Sequence, residues 1–278
     1  EMIRSSGGRA LIGLVGVQSN QFPRAVDLAR PFLEAKLPVC IGGFHVSGCL
    51  AMLPEIPADI RAAQEMGISM FAGEAEDKRL DLVVRDAFNG KLAPLYNFMN
   101  DLPSLEGEPA SILPREQVRR TSGSLSSIDL GRGCPYQCSF CTIINVQGRK
   151  SRFRSPDDLE RVVRENYAQG VGRFFITDDN FARNKHWEEL LDRLIAIREG
   201  EGLNIGFTIQ VDTLSHKIPN FIEKATRAGV RRVFIGLENI NPDNLLAANK
   251  RQNKITEYRA MLQKWREHGA LTYAGYII

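Results

Sequence analysis

Short apolar runs alternate with longer stretches of helical periodicity along most of this chain. Leu11 to Val17 is an apolar run of the length of a buried parallel strand. Ser19-Asn20-Gln21 follows as turn chemistry, and Pro23 stands where a first helical turn tolerates it. Val26, Leu28, Ala29, Phe32 and Leu33 then recur at roughly helical spacing. Leu37 to Gly43 predicts the next strand, closed by Gly42-Gly43. Pro57 to Met66 predicts a helix ending at Gly67, Ile68 to Ala72 a third strand, and Glu74 to Phe88 a third helix. Strand alternating with helix implies parallel sheet, here part of a doubly wound, Rossmann-like α/β domain. Ligands of such sheets lie outside the carboxyl ends of the strands. Ser19, the Gly42-Gly43-Phe44-His45 loop and Gly73-Glu74 all fall at such ends.

Asn89 to Thr121 carries Pro94, Pro103, Pro109 and Pro114 with Gly90 and Gly107, and has little periodicity. It reads as an interdomain linker laid over the surface. From Ser126 the alternation resumes in longer units. Strands are expected at Ser126 to Leu130, Phe174 to Thr177, Asn204 to Val211, Arg232 to Leu237 and from Leu271 onward. Helices are expected from Ser155-Pro156-Asp157-Asp158 to about Ala168, and over Lys185 to Glu199, Pro219 to Ala228 and Ile255 to His268. These units describe most of a parallel α/β barrel, broken off in its fifth strand.

Composition narrows the classes. A chain of 278 residues has room for two domains or one large barrel. With 43% hydrophobic and 25% charged residues it is an ordinary soluble globular protein. A net charge of +3 gives no argument for nucleic acid or an anionic membrane. No apolar run approaches the ~18 residues of a membrane span, and no signal-peptide pattern is present. Five cysteines, three of them clustered, suit a reducing cytoplasm better than a disulfide framework. The chain begins at Glu1 close to a strand and stops inside the apolar run Tyr273 to Ile278, so it reads as an internal fragment of a longer protein.

The chemistry concentrates in Gly131 to Cys141, where Cys134, Cys138 and Cys141 stand at C-x3-C-x2-C spacing just after the first barrel strand. Soft thiolates so close together suit zinc or an iron–sulfur cluster. A closed structural zinc site needs four ligands, and no second C-x2-C or H-x3-H pair follows to complete one. Three thiolates on a four-iron cluster leave one iron open to bind something else. This spacing, with Phe140 just before the last cysteine, resembles the radical S-adenosylmethionine (SAM) enzymes. The resemblance implies a (β/α)6 partial TIM barrel, a [4Fe-4S] cluster on the three cysteines, and SAM bound through its amino and carboxylate groups to the open iron. It further implies one-electron cleavage of SAM to methionine and a 5′-deoxyadenosyl radical, with an electron donor such as flavodoxin or ferredoxin.

The resemblance also assigns residues by position. Asp178, Asp179 and Asn180 occupy the loop that meets the SAM amino group, where the family usually has Gly-Gly-Glu. An acceptor for the ammonium survives that change. Gln210, Asp212, Gly236 and Glu238 follow at the next strand ends as candidates for the ribose and the methionine moiety, and Phe140 would border the adenine. Arg149, Lys150, Arg152 and Arg154 read as a solvated basic face, and Asn249-Lys250-Arg251 as a possible edge of the mouth.

The N-terminal segment resembles the cobalamin-binding domain that precedes many radical SAM domains. Ser19, Gly42 and Gly43 match the loops that enclose the cobalamin tail in that family. The family's Asp-x-His-x-x-Gly motif is not in this chain, and His45 reads as a hydrogen-bonding histidine rather than a cobalt ligand. Cys40 and Cys49 read as small hydrophobes. The expected organisation is residues 1–88 as the C-terminal part of a cobalamin-binding domain, 89–121 as linker, and 122–278 as the radical SAM barrel. The expected reaction is cobalamin-dependent methylation of an unactivated carbon of an unknown organic substrate. Radical cyclisation or rearrangement is the rival within the class. A binding or electron-transfer protein with a structural cluster is the rival outside it, and would neither bind SAM nor yield 5′-deoxyadenosine.

Overall fold

The structure, a computed structural model, describes residues 7–120 and 124–277. The chain divides into two compact units, Glu1–Ser104 with Asn145–Gln147, and Leu105–Ile144 with Gly148–Ile278.

The first unit holds a four-stranded parallel sheet. Its strands β1 (Ile12–Leu14), β2 (Val39–Gly42), β3 (Ser69–Ala72) and β4 (Leu95–Asn97) lie in sequence order. Helices α1 (Phe22–Glu34), α2 (Phe44–Met52), α3 (Ala58–Glu65) and α4 (Arg79–Phe88) complete the unit. Alternation along the strands sends side chains to opposite faces. Val39, Ile41, Met70 and Ala72 pack with Phe22 and Ala29 of α1, Val46 of α2 and Ile60 of α3. Cys40 and Phe71 pack instead with Val83 of α4 and with Tyr96. Both faces are therefore covered, which is why the strands read as unbroken apolar runs. The sheet shows no reversal of strand order among the described strands, so the switch point of a doubly wound fold is not part of it.

Two elements had no periodic signal. Helix α2, FHVSGCLAM, is apolar nearly all round and buried over His45, Val46, Ser47 and Gly48, so it presents no polar stripe. Strand β4 lies within the stretch expected to be linker. It is three residues long, follows Pro94, and sits at the sheet edge, where proline is tolerated.

The rest of that stretch belongs to the second unit, and buried polar side chains hold it there. The Arg154 guanidinium, only 2% exposed, donates to the carbonyls of Leu105, Glu108, Pro109 and Asp129. Asp158 accepts from Gly107 N at 2.9 Å, and Asn166 Oδ1 from Leu113 N at 3.2 Å. Arg154 is thus no part of a solvated basic face. Its five donors satisfy carbonyls that an irregular segment cannot pair for itself.

The second unit is a five-stranded parallel sheet, again in sequence order: β5 (Leu125–Ile128), β8 (Arg173–Ile176), β9 (Gly206–Val211), β10 (Val230–Glu238) and β11 (Leu271–Tyr276). A two-residue antiparallel pair, β6 (Gly131–Arg132) with β7 (Arg152–Phe153), brackets the cysteine segment. The helices are α5 (Arg115–Arg120), α6 (Pro156–Ala168), α7 (Trp187–Ile195), α8 (Phe221–Arg227), α9 (Pro242–Ala247) and α10 (Ile255–Glu267). Helix α6 starts at Ser155, whose hydroxyl accepts from Asp158 N at 3.1 Å, with Pro156 in the first turn. Ile128, Ile176, Ile209 and Ile235 face Leu159, Leu190, Phe221 and Trp265 of the helices, forming one core. This is a partial parallel α/β barrel: parallel strands, each crossover a helix, with the strand carboxyl ends gathered at one rim.

Candidate active site

The cysteine segment leaves β5 under tight constraint. Leu130 N donates to Asp178 Oδ1 at 3.1 Å, and Asn184 Nδ2 donates to Asp178 Oδ2 at 3.1 Å. A Cβ on Gly131 would stand 2.7 Å from Asp178 Oδ2 and 3.0 Å from Asn184 Nδ2, so only glycine lets the chain pass. Beyond it, Cys134 N donates to Gly148 O at 3.3 Å, Cys141 N to Cys138 O at 3.1 Å, and Ser139 N to Ala248 O at 3.0 Å. Cys138 is buried, while Cys134 and Cys141 are half-buried.

Burial pushes the Cys134 and Cys141 thiols up. The backbone N–H of Tyr136 partly offsets this at Cys134, and those of Ile144 and Ile143 at Cys141. Negative charge on Cys138 and on Asp179 pushes both thiols up further. Three thiols and a carboxylate therefore crowd one partly buried place, and a cationic cluster would relieve that crowding. Among the described residues no three His, Cys, Asp or Glu side chains converge on a point where one ion would sit. In a four-iron cluster each thiolate holds a different iron, so the donor set fits that group.

The loop after β8 divides its labour. Asp178 is 3% exposed and both its oxygens are engaged, so it anchors the cysteine segment. Burial, with the Asp129 charge beside it, pushes its carboxyl up to about 7. Asp179 is partly exposed and stands close enough to Cys134 and Cys141 to act on them by charge. Burial and Asp129 push its own carboxyl up to about 6. Asn180 bridges to the end of β9, with Nδ2 donating to Asp212 Oδ2 at 3.0 Å and Oδ1 accepting from Asp212 N at 3.2 Å.

Asp212 is saturated. Arg183 donates to both its oxygens, at 2.6 and 2.9 Å, Leu214 N at 2.7 Å, and Tyr136 OH at 3.3 Å. Burial, followed by the Asp212 charge, pushes the Tyr136 phenol up to about 12. Because Tyr136 lies between two of the cysteines, this network braces the cysteine segment from below. Gln210 donates from Nε2 to Asp178 O at 3.4 Å and is half-buried.

At the end of β10, Glu238 adopts φ +62 and forms an ion pair with Lys250. A Cβ on Gly236 would stand 2.5 Å from the Glu238 carboxylate and 2.8 Å from Lys250 Nζ, so glycine leaves the room for that pair. Lys250 Nζ also lies 5.6 Å from the centre of the half-exposed Phe140 ring. Asn253 Nδ2 donates to Gly236 O and Leu237 O, at 2.9 and 2.8 Å, fixing the following loop to the strand end.

The structure thus brings Asp179, Gln210, Gly236, Glu238 and Phe140 to the same rim as the cysteines, whereas Asp178, Asn180 and Asp212 are spent on internal bonds. Tyr136, Arg183, Asn184, Gln252 and Asn253 had no signal in the sequence. Apart from Asn184, which reaches Asp178 in its own loop, each acts across a separation in sequence that no local pattern encodes.

In the first unit, Val17 N donates to Gly42 O at 3.1 Å and His45 N to Val17 O at 3.0 Å, stitching the two strand-end loops together. A Cβ on Gly43, at φ +144, would overlap Val17 N and stand 2.6 Å from Val17 O. His45 is buried against the Phe22 ring. Its Nε2 lies 3.0 Å from Asp59 Oδ2 and its Nδ1 3.2 Å from Ser19 Oγ. A carboxylate only accepts, so Nε2–H donates to Asp59, and in the neutral ring Nδ1 accepts from the Ser19 hydroxyl. Both ring nitrogens are therefore engaged. A mainly apolar cavity of about 210 Å³ opens beside these loops, lined by Gly13, Gly42, Gly43, Cys40, Phe71 and Val83 among others.

Fold and site together define a parallel α/β barrel enzyme with a three-thiolate cluster segment at its catalytic rim. Residues 128–278 match the family described as the radical SAM superfamily, and the chain belongs to it. The [4Fe-4S] cluster and SAM are the cofactors of that family, and Cys134, Cys138 and Cys141 stand where they would hold the cluster. The bacteriochlorophyllide d C-12(1)-methyltransferase of Chlorobaculum tepidum is 31% identical over 76% of this chain and 46% of its own length. The hopanoid C-2 methylase of Rhodopseudomonas palustris is 26% identical over 91% of this chain and 46% of its own. The chain therefore spans about half the length of these curated relatives. In fold it is similar to the radical SAM methyltransferase TsrM of Kitasatospora setae, solved with tryptophan and a SAM analogue. That likeness has a TM-score of 0.73 at 19% identity, covering 98% of this chain and 57% of that one. No helix among the described residues is long and apolar enough to cross a membrane.

Proposed function

We propose that this chain carries the cobalamin- and SAM-binding parts of a radical SAM methyltransferase acting on an unactivated carbon. The observation that carries the cobalamin half of this reading is the glycine-lined cavity beside Gly42 and Gly43. Glycines on two neighbouring strands bare the sheet, so a flat apolar group can lie against backbone. The dimethylbenzimidazole tail of cobalamin is such a group. Ser19, hydrogen-bonded to His45 Nδ1, has a hydroxyl oxygen able to accept from a donor on that ligand. His45, with both nitrogens engaged, serves as scaffold. The named activities of both relatives, a methyltransferase and a methylase, support the same reading.

In the second unit, Cys134, Cys138 and Cys141 hold the cluster. Asp179 accepts from the SAM ammonium, being the partly exposed carboxylate of its loop and the one close to Cys134 and Cys141. Gln210 and the Glu238–Lys250 pair meet the ribose and the methionine carboxylate, and Phe140 borders the adenine. When bound, the cluster and SAM supply an organic radical able to abstract hydrogen, and cobalamin supplies a methyl group. The electron comes from a flavodoxin or ferredoxin in the cytoplasm.

The test uses the full-length protein, purified without oxygen and loaded with iron, sulfide and hydroxocobalamin. Reduced in the presence of SAM, it should form S-adenosylhomocysteine in step with cobalamin methylation, together with 5′-deoxyadenosine. A cyclase would give 5′-deoxyadenosine alone, and that result would replace the methyltransferase reading. A Cβ on Gly13 would meet nothing nearer than Val15 Cγ1 at 4.0 Å, so Gly13→Phe can fill the cavity without a backbone clash. It should abolish cobalamin retention and leave the iron content unchanged.

A further inference from the structure

Gln252 lies on the loop between α9 and α10, 114 residues from Cys138 in sequence, and its Nε2 donates to Cys138 Sγ at 3.4 Å. Gln252 is 9% exposed and Cys138 8%. The loop that carries it is fastened on both sides. Ser139 N donates to Ala248 O at 3.0 Å, Thr213 Oγ1 to Gln252 O at 3.3 Å, and Asn253 to the carbonyls of Gly236 and Leu237. Gln252 is therefore held against the sulfur rather than resting there by chance. A thiolate has no proton to give, so the amide must present its N–H end.

We propose that Gln252 is a positioning residue that sets how readily the cluster takes up an electron. The inference rests on the three cysteines holding the family's cluster and is independent of the methyltransferase reading. An N–H donor on a cluster sulfur withdraws electron density and favours the more negative, reduced state. In a buried site that bond is stronger than it is in water. Of the three cysteines, Cys138 is the most buried, so its sulfur has the least water to do the same work. Gln252 supplies a fixed donor where solvent cannot. It acts on the cluster through the sulfur.

The test is a redox titration of the anaerobically reconstituted full-length protein, followed by electron paramagnetic resonance, with and without SAM. Gln252→Met keeps the bulk and removes the donor. Gln252→Glu keeps the shape and replaces the donor with an acceptor. With iron content at the wild-type level, the midpoint potential should move negative in Gln252→Met and further negative in Gln252→Glu. An unchanged or more positive potential in Gln252→Met would overturn the proposal. So would loss of iron from both variants with the fold intact by circular dichroism, because Gln252 would then support only the loop. If even the wild type binds no iron, the cluster assignment itself has failed, which is a separate result.

Discussion

Arg183 grips Asp212 with two hydrogen bonds, 2.6 and 2.9 Å long, from the one-turn helix after β8 to the end of β9. The Asp212 side chain is 5% exposed and that of Arg183 27%. Removing one partner from such a pair leaves an uncompensated buried charge and costs roughly 3–5 kcal/mol. Arg183 keeps some water, so Asp212→Ala should cost about 3 kcal/mol in urea unfolding. The Arg164–Glu201 pair, 38% and 48% exposed, is the contrast. Glu201→Ala should cost under about 1 kcal/mol. Equal costs at the two sites would refute the bracing role given to Asp212.

Asp178 predicts a pH dependence. Its carboxyl is pushed up to about 7 by burial and the nearby Asp129, against about 3.9 in an unfolded chain. The folded state thus keeps its proton to higher pH. The stability contributed by this group is complete below about pH 4 and is lost as pH rises through about 7. Asp178→Asn retains an acceptor for Leu130 N and cannot ionise. The wild-type minus variant difference in unfolding free energy of the cluster-free protein should fall between about pH 4 and 7 and level off above that. A flat difference would mean that Asp178 does not titrate there.

Asp179 predicts a change in binding without a change in the cluster. Losing a hydrogen bond to a charged group costs about 1.5–3 kcal/mol, roughly ten-fold or more in affinity. Asp179→Ala should weaken SAM binding by that factor, measured by equilibrium dialysis on protein with full iron content. With its carboxyl pushed up to about 6, wild-type affinity should also decline as pH falls below that value, and Asp179→Asn should lose this dependence. Undiminished SAM binding by the alanine variant would move the ammonium contact elsewhere.

The cysteines predict iron. Anaerobic reconstitution should load about four irons per chain, and alanine at Cys134, Cys138 or Cys141 should bring that close to zero. Cys40→Ala should leave it unchanged, since Cys40 is packed with Phe71 and Val83. Stoichiometric zinc in place of iron would count against the cluster.

Gly43 predicts instability rather than a binding defect. Any side chain there meets the backbone of Val17 at φ +144. Gly43→Ala should cost roughly 3 kcal/mol or more, from overpacking added to backbone strain. Calorimetry on the variant would show this as a lowered melting temperature, while Gly13→Phe should melt close to wild type. A Gly43→Ala variant as stable as wild type would show that the two loops can separate.

The sequence by itself determined the alternation of strand and helix, because burial on both faces of a parallel sheet leaves apolar runs, and helices over it leave amphipathic stripes. It also singled out Cys134, Cys138 and Cys141, whose spacing is local and whose chemistry few other groupings share. Helix α2 stayed hidden because a helix apolar nearly all round has no stripe. The segment from Leu105 to Leu113 carries no pattern in the sequence because side chains of Arg154, Asp158 and Asn166 hold it, rather than any periodicity of its own. Only the tertiary structure decided which of three adjacent polar residues stays partly exposed near the cysteines. Asp178, Asp179 and Asn180 look alike as a string, yet the first is tied to Leu130, the third to Asp212, and the middle one stands partly exposed near Cys134 and Cys141. It alone placed Gln252 on the sulfur of Cys138, since that contact joins two loops which only the closing of the sheet brings together.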